Sequence, residues 1–402
     1  MLPYAKSKER ARVASLPRAP IGPESEAIRH EGARNGNRPV GRNAAVCIQS
    51  DRLREFVASA LECTDVPAED AAIVSACLVD ADLRGIPSHG VSRLTTYIEA
   101  LQRGFARAKP RIRVNRSSQA TAIMDGDDGL GSLVAVLAMR EAIELADECG
   151  IGMVGVRHSS HFGHAGYYAS LATAKGCIGI VLSNAFPTVA AFGGREAILG
   201  TNPIAIAAPG GDRPEFALDM STSVTSRGWL RLAAEDNAPI PEGWAVTKDG
   251  APALTPREAI DGILLPFGGY KGSGVAMMVD LIAGVLTGAG FGQSVRSMYV
   301  PGERRADVGH ALIAIRISAF LEPSEYERRY RTWYDALKTS QPAQGHDAIL
   351  IPGERSAAIA HAQRHDGIYI HAKTWRSLEQ LAEKLGLDIS TKPTQAASGN
   401  LY

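Results

Sequence analysis

Ser88, His89 and Arg93 stand within one short stretch, Arg84-Gly85-Ile86-Pro87-Ser88-His89-Gly90-Val91-Ser92-Arg93. An imidazole can donate or take a proton, and a guanidinium can grip a carboxylate through two parallel hydrogen bonds. A spacing of four puts the two groups on one face of a helix. A surface His beside a solvated Arg shows the same spacing, so the stretch alone does not choose between the readings.

Other stretches could hold an anion. Gly268-Gly269-Tyr270-Lys271-Gly272-Ser273-Gly274 is dense in glycine, which lets a backbone approach a ligand closely, and Lys271 adds a point charge. It is no Walker A loop, since GxxxxGK[ST] is absent. A cradle for phosphate or pyrophosphate competes there with a flexible hinge. Residues 158–164 carry three imidazoles, His158, His161 and His164. The spacing is neither HExxH nor a finger pattern, and no nearby Cys or Glu completes a zinc set. The stretch reads better as a strand-to-helix corner whose early amides attract an anion.

Gly200-Thr201-Asn202-Pro203 and Asp219-Met220-Ser221-Thr222-Ser223 fall at strand ends. Polar residues there line ligand crevices or simply make turns and caps. Arg227 and Gly228 follow one helical turn into the next element. No GxSxG elbow makes Ser88 a hydrolase nucleophile. Tyr369 and Lys373 form a YxxxK far from any dinucleotide fingerprint, and chance explains it.

Elements must position these groups. An apolar helical run through Ala71, Val74, Cys77, Leu78 and Ala81 stops at Gly85, and Pro87 blocks its continuation. Ser88 then reads as the N-cap of a helix over 88–103. Further helices are expected over 51–63, 68–84, 130–149, 164–176, 223–234, 272–289, 324–338, 355–365 and 374–385. Strands are expected over 151–156, 178–182, 203–208, 215–219, 310–317 and 348–351, with 110–125 extended. Gly150-Ile151-Gly152-Met153-Val154-Gly155 is formally GxGxxG. It follows a helix and opens a strand, the reverse of the dinucleotide fingerprint, so an ordinary Rossmann unit is rejected.

The chain of 402 residues has room for a large core, and its 43 acidic side chains balance 43 basic ones. No net field favours nucleic acid or a membrane. The longest apolar run, 275–289, contains Asp280 and is short for a bilayer. Cys47, Cys63, Cys77, Cys149 and Cys177 are scattered without a CxxC, which fits reduced thiols and a cytoplasmic protein. Residues 1–45 are poor in large apolar side chains and read as a disordered, mildly basic extension; 391–402 read as a polar tail.

With these residues in view, the chain resembles the malate/L-lactate dehydrogenase family. This is the non-Rossmann family that also holds ureidoglycolate and sulfolactate dehydrogenases, 2,3-diketogulonate reductase and Δ1-piperideine-2-carboxylate reductase. The likeness covers roughly 46 to 387. It runs through RGIPSHGVSR (84–93), SSHFGHAGYY (159–168), LGTNPIA (199–205), DMSTS (219–223), IPEGWA (240–245), LLPFGGYKGSG (264–274) and IPGER (351–355).

The resemblance implies NAD(P)H-dependent hydride transfer at C2 of a 2-oxo or 2-hydroxy carboxylate, in a homodimer. His89 would be the acid, with Ser88 in its relay. Arg93 would hold the substrate carboxylate, with Thr201, Arg227 and Gly228 as further substrate contacts. His161, Phe162, Gly163, His164, Ala165, Asp219, Met220, Ser221, Tyr270, Lys271, Pro352, Gly353 and Glu354 would touch the cofactor. A second PGER at 301–304 competes for the alignment of the last three. The family often has Asn where His158 and Ser160 stand here, and a small residue where His164 stands.

The implied fold is α/β (α+β) and non-Rossmann. A helical region over 46–120 would pack with 294–390, beside a central cofactor-binding α/β domain over 121–293. A helix N-terminus and a bound carboxylate would tune His89 near neutrality. Three other readings remain at this point. One is a cyclic imine reductase acting on Δ1-piperideine- or Δ1-pyrroline-2-carboxylate, and another is a metal-dependent hydrolase built on the three histidines. The third is a non-catalytic nucleotide-binding protein. NAD against NADP stays open.

Overall fold

The computed structural model describes residues 45–227, 230, 233–234, 239–297 and 305–389. Apart from Ala45, the expected N-terminal extension lies outside the described residues. So do the tail at 391–402, the PGER copy at 301–304, and Gly228 and residues 229, 231 and 232 of the helix expected over 223–234. The first four residues of that expected helix are not helical: Ser223 instead bridges to Pro266.

Strand β1 (Ala45–Ile48) leads into helices α1 (Ser50–Glu62), α2 (Ala68–Leu83) and α3 (Leu94–Gln102). A hairpin of β2 (Arg113–Arg116) and β3 (Thr121–Asp125) follows, then α4 (Gly131–Cys149), β4 (Ile151–Ser159), α5 (Ala165–Thr173) and β5 (Cys177–Ser183). Next come β6 (Val189–Ala190), β7 (Ala197–Leu199), β8 (Ile204–Ala208), β9 (Phe216–Met220), β10 (Ala245–Val246), α6 (Pro256–Asp261) and β11 (Ile263–Leu264). Helix α7 (Tyr270–Asp280) continues as a π turn over Leu281–Val285. The described chain closes with β12 (Val308–Arg316), α8 (Pro323–Lys338), α9 (Glu354–Asp366), β13 (Ile368–His371) and α10 (Ala372–Leu385).

Seven strands form the main sheet in the order β2-β3-β4-β12-β5-β8-β9. Only β3 and β4 pair in parallel there, and α4 makes the crossover that such a pair requires. The glycines of the false fingerprint each have a packing reason. Gly150 caps α4 in the left-handed region at φ 82°. A Cβ on Gly152 would overlap the Ala142 carbonyl of α4, so its absence lets the helix seat directly on β4. Gly155 lies against Ile123 and Thr287. Gly179 of β5 gives α5 the same close seat, against Ala169.

A second core joins the two ends of the chain. Leu53, Phe56, Leu61, Leu78, Tyr97 and Ile98 pack with Ile368, Ile370, Trp375, Leu378 and Leu381. Antiparallel pairing of β1 with β13 closes this layer.

Three expectations need correction. The helix over 88–103 begins only at Leu94. No strand forms over 348–351; the Ile349 carbonyl instead accepts from Lys338 Nζ at 2.7 Å. Strand β12, expected to belong with the terminal helices, lies between β4 and β5 in the middle of the main sheet. A four-stranded sheet, β10-β11-β6-β7, went unforeseen, because strands of two or three residues are too short to show alternation.

Candidate active site

Two 3₁₀ turns, Pro87–His89 and Val91–Arg93, separated by Gly90, carry the key groups. The carboxyl of Asp82, buried near the end of α2, accepts the Val91 N–H at 2.7 Å. A Cβ on Gly90 would overlap that carboxyl, so only glycine fits between the turns. Burial pushes the Asp82 carboxyl up to about 7, against the pull of the Val91 N–H.

Ser88 is therefore no N-cap. Its hydroxyl is hydrogen-bonded with His89 Nδ1 at 2.9 Å, and its carbonyl accepts from Arg93 Nε at 2.6 Å. His89 and Arg93 are joined through this serine rather than through a shared helix face.

The corner after β4 supplies the next groups. The His161 ring stacks on His89 with centroids 5.7 Å apart and planes 17° apart, and its Nδ1 is hydrogen-bonded with the Tyr97 hydroxyl at 2.8 Å. Phe162 runs into the core, flat against His310 at 4.5 Å and stacked on Tyr168 at 5.0 Å. The Tyr168 hydroxyl donates to the Phe162 carbonyl. His310 is buried between the hydroxyls of Ser183 (2.8 Å) and Ser159 (2.9 Å). Gly163 sits at φ 82°, the left-handed turn that lets the corner pass close to the His89 carbonyl.

The three imidazoles of 158–164 go three ways. His158 Nδ1 lies 3.0 Å from Asp125, His161 faces His89, and His164 sits between Asp80 and Asp219. Among the described residues no group of three His, Cys, Asp or Glu is placed to hold a metal, and the triple-histidine hydrolase loses its site. The amides expected to attract an anion already have one within the chain: Asp219 Oδ2 accepts the Gly166 N–H at 2.8 Å, just inside α5.

Burial, with the Arg93 charge second, lowers His89 to about 4; Asp219 acts in the opposite direction. The free imidazole is thus a weaker base than the near-neutral one expected. Burial first, then His89 and Arg93, holds His161 well below its ordinary value. His164 goes the other way. Burial disfavours its charge, but the carboxylates of Asp219 and Asp80 overcome this and raise it.

A second corner gathers three more motifs. Thr222 donates to the Thr201 carbonyl from both its N–H (2.8 Å) and its hydroxyl (3.0 Å), and Phe267 N–H donates to the Thr222 carbonyl at 3.1 Å. Strand β9, ending in Asp219 and Met220, runs between the two corners, with Ser221 just beyond. Gly268 and Gly269 take φ values of 57° and 65° on the way into α7. A Cβ at Gly268 or Gly274 would meet no heavy atom within 4 Å. Tyr270 and Lys271 stand exposed at the head of this helix. Open backbone at a helix N-terminus beside a lysine fits the phosphates of a dinucleotide.

The PGER motif behaves differently. Gly353 wedges against Ala217 of β9, and the Pro352 carbonyl accepts from Ala217 N–H at 3.0 Å. The Glu354 carboxylate is committed to Lys338 (2.8 Å), the Ile351 N–H (3.1 Å) and the Tyr334 hydroxyl. It clamps the start of α9.

A mixed sheet without a dinucleotide fingerprint, with an imidazole and a guanidinium held together beside a glycine-lined corner, suits a dehydrogenase acting next to a carboxylate. Residues 48–379 match the malate/L-lactate dehydrogenase family, and the chain belongs to it. It is 41% identical over 342 residues to the L-sulfolactate dehydrogenase of Methanocaldococcus jannaschii, covering 85% of this chain and 98% of that one. The solved structure of that enzyme superposes with a TM-score of 0.81, covering 86% and 98% of the two chains. Malate dehydrogenase of Pyrococcus horikoshii is 39% identical over 349 residues, covering 85% and 96%. More distant relatives at 34% and 33% identity are named as NAD+ and NADP+ enzymes respectively. A Δ1-piperideine-2-carboxylate reductase structure from Pseudomonas syringae shares the fold at a TM-score of 0.74 but only 26% identity.

Proposed function

We propose that this NAD(P)-dependent oxidoreductase interconverts a small 2-hydroxy carboxylate and its 2-oxo acid, with His89 carrying the proton and Arg93 holding the carboxylate. The observation that carries this reading is the Ser88 link, which ties the imidazole and the guanidinium into one unit. The nicotinamide, when bound, takes or returns the hydride.

The Ser88 hydroxyl occupies Nδ1 of His89, which leaves the Nε2 edge for the substrate hydroxyl. At neutral pH the imidazole is uncharged, the state needed to take a proton as the alcohol is oxidised. Reduction needs the charged ring. A substrate carboxylate on Arg93 offsets the guanidinium's repulsion and so favours that charge. Thr201 and Arg227 are further substrate contacts in this reading. Gly268, Gly269, Tyr270 and Lys271 take the cofactor phosphates, and Gly163, His164, Asp219 and Met220 border the nicotinamide side. Malate- or sulfolactate-like acids are the first substrates to consider, by similarity to the relatives.

The reading includes a homodimer. Met277, Met278, Leu281, Val285 and Leu286 form an exposed apolar face along α7 and its π turn, a feature typical of a covered surface. It also includes a cytoplasmic location, supported by five cysteines all present as free thiols. No described helix is long and apolar enough to cross a membrane.

A screen of NADH and NADPH oxidation over 2-oxo acids and cyclic imines tests the reading, with light scattering for the dimer. Turnover confined to imines would replace the substrate class.

A further inference from the structure

His164 has no part in the proton transfer described above, yet two carboxylates flank its ring. Its side chain is 5% exposed. Nε2 lies 3.2 Å from Asp80 Oδ2 of α2, and Nδ1 lies 3.6 Å from Asp219 Oδ2 of β9. The ring thus spans from the helical layer to the edge strand of the main sheet. Charged and titratable neighbours face it from every side. Asp80 also holds Arg84 at 2.8 Å, and Asp82 follows on the same helix. Asp219 also receives the Gly166 N–H at 2.8 Å. The 3₁₀ turns bring His89 within reach of its charge, and Tyr167 stands edge-on at 6.1 Å.

Two carboxylates on opposite nitrogens favour an imidazolium at His164, and in low-dielectric surroundings that charge acts at a distance. Asp219 draws a proton towards His89, and His164 opposes it.

We infer that His164 is a positioning residue for the proton transfer: seated between Asp80 and Asp219, it opposes the field that Asp219 exerts on the His89 ring. This rests on the reading of His89 as the proton carrier. Asp80 keeps Arg84 and Asp219 keeps the Gly166 amide when His164 is replaced. The Asp219 charge then meets less opposition at His89, with Arg93 still acting against it.

The test is an NMR pH titration of the His89 ring in the full chain, for the parent, His164→Gln and Asp219→Asn, with kcat/KM for 2-hydroxy acid oxidation followed over the same pH range. His164→Gln should raise the His89 midpoint, and Asp219→Asn should lower it. The acid limb of kcat/KM should move up with the midpoint in His164→Gln. A midpoint that stays put in a folded His164→Gln chain overturns the inference. A midpoint that moves while the kcat/KM limb does not supports the coupling and rejects His89 as the proton carrier instead. Should His164→Gln fail to fold, titration of His164 in the parent decides. A ring charged through neutral pH supports the inference, and one that loses its proton below pH 6 overturns it.

Discussion

The rings of His89 and His161 lie 5.7 Å apart and within 17° of parallel, although they stand 72 positions apart in the chain. Each has its Nδ1 anchored, His89 by the Ser88 hydroxyl and His161 by the Tyr97 hydroxyl. Two stacked, largely buried imidazoles cannot both carry a proton without repulsion, so the stack favours a neutral pair in the free enzyme.

One of the two must move the proton. His89→Ala should lose roughly 10²- to 10⁴-fold in kcat while NAD(P)H still binds, as measured by fluorescence titration. Replacing His161 by Ala removes the stacking partner and the Tyr97 hydrogen bond and should cost less. The reverse ranking would transfer the proton-carrying role to His161.

Arg93→Ala should raise KM for carboxylate substrates by roughly 10- to 100-fold, the worth of charge-assisted hydrogen bonds. Arg93→Lys should recover little, since an ammonium lacks the fork that both grips a carboxylate and reaches the Ser88 carbonyl. Steady-state kinetics with a 2-hydroxy acid checks both; an unchanged KM for Arg93→Ala removes the clamp.

Gly90→Ala drives a methyl group into the Asp82 carboxyl and should break its bond to the Val91 N–H. About 1–3 kcal/mol of stability should go, with a larger loss of activity because both turns shift. Asp82→Asn keeps an acceptor for Val91 and should be milder. Urea unfolding alongside kcat/KM separates the two effects.

Lys271→Ala should weaken dinucleotide binding by up to about tenfold and make it less sensitive to salt, since the lysine is exposed and its field is screened. Binding equal to the parent at low salt would detach this helix start from the cofactor.

The His164 proton has a signature in stability. An unfolded histidine titrates near 6.5, whereas folding raises His164 above that value. Its stabilisation is therefore complete below about pH 6.5 and lost as pH rises through the folded value. The difference in urea midpoint between the parent and His164→Gln should be larger at pH 6 than at pH 9. A difference that grows with pH would contradict the charged ring.

The order of motifs determined much of this protein in advance. Gly85 and Pro87 announce the end of α2, the apolar periods give most helices and central strands, and the placement of GxGxxG between helix and strand excludes a Rossmann unit. These are local signals, set by backbone freedom and by which faces must be buried, and one stretch of chain carries each of them. The tertiary structure decided what meets what. A buried Asp82 carboxyl, not helical spacing, shapes the turns that bring His89 and Arg93 together. Tyr97 fixes His161 on His89, and Asp80 and Asp219 make His164 an interlayer bridge instead of a metal ligand. Such contacts depend on charges and rings brought together across a buried interior, where removal from water changes both their strength and their protonation. No spacing along a chain records that.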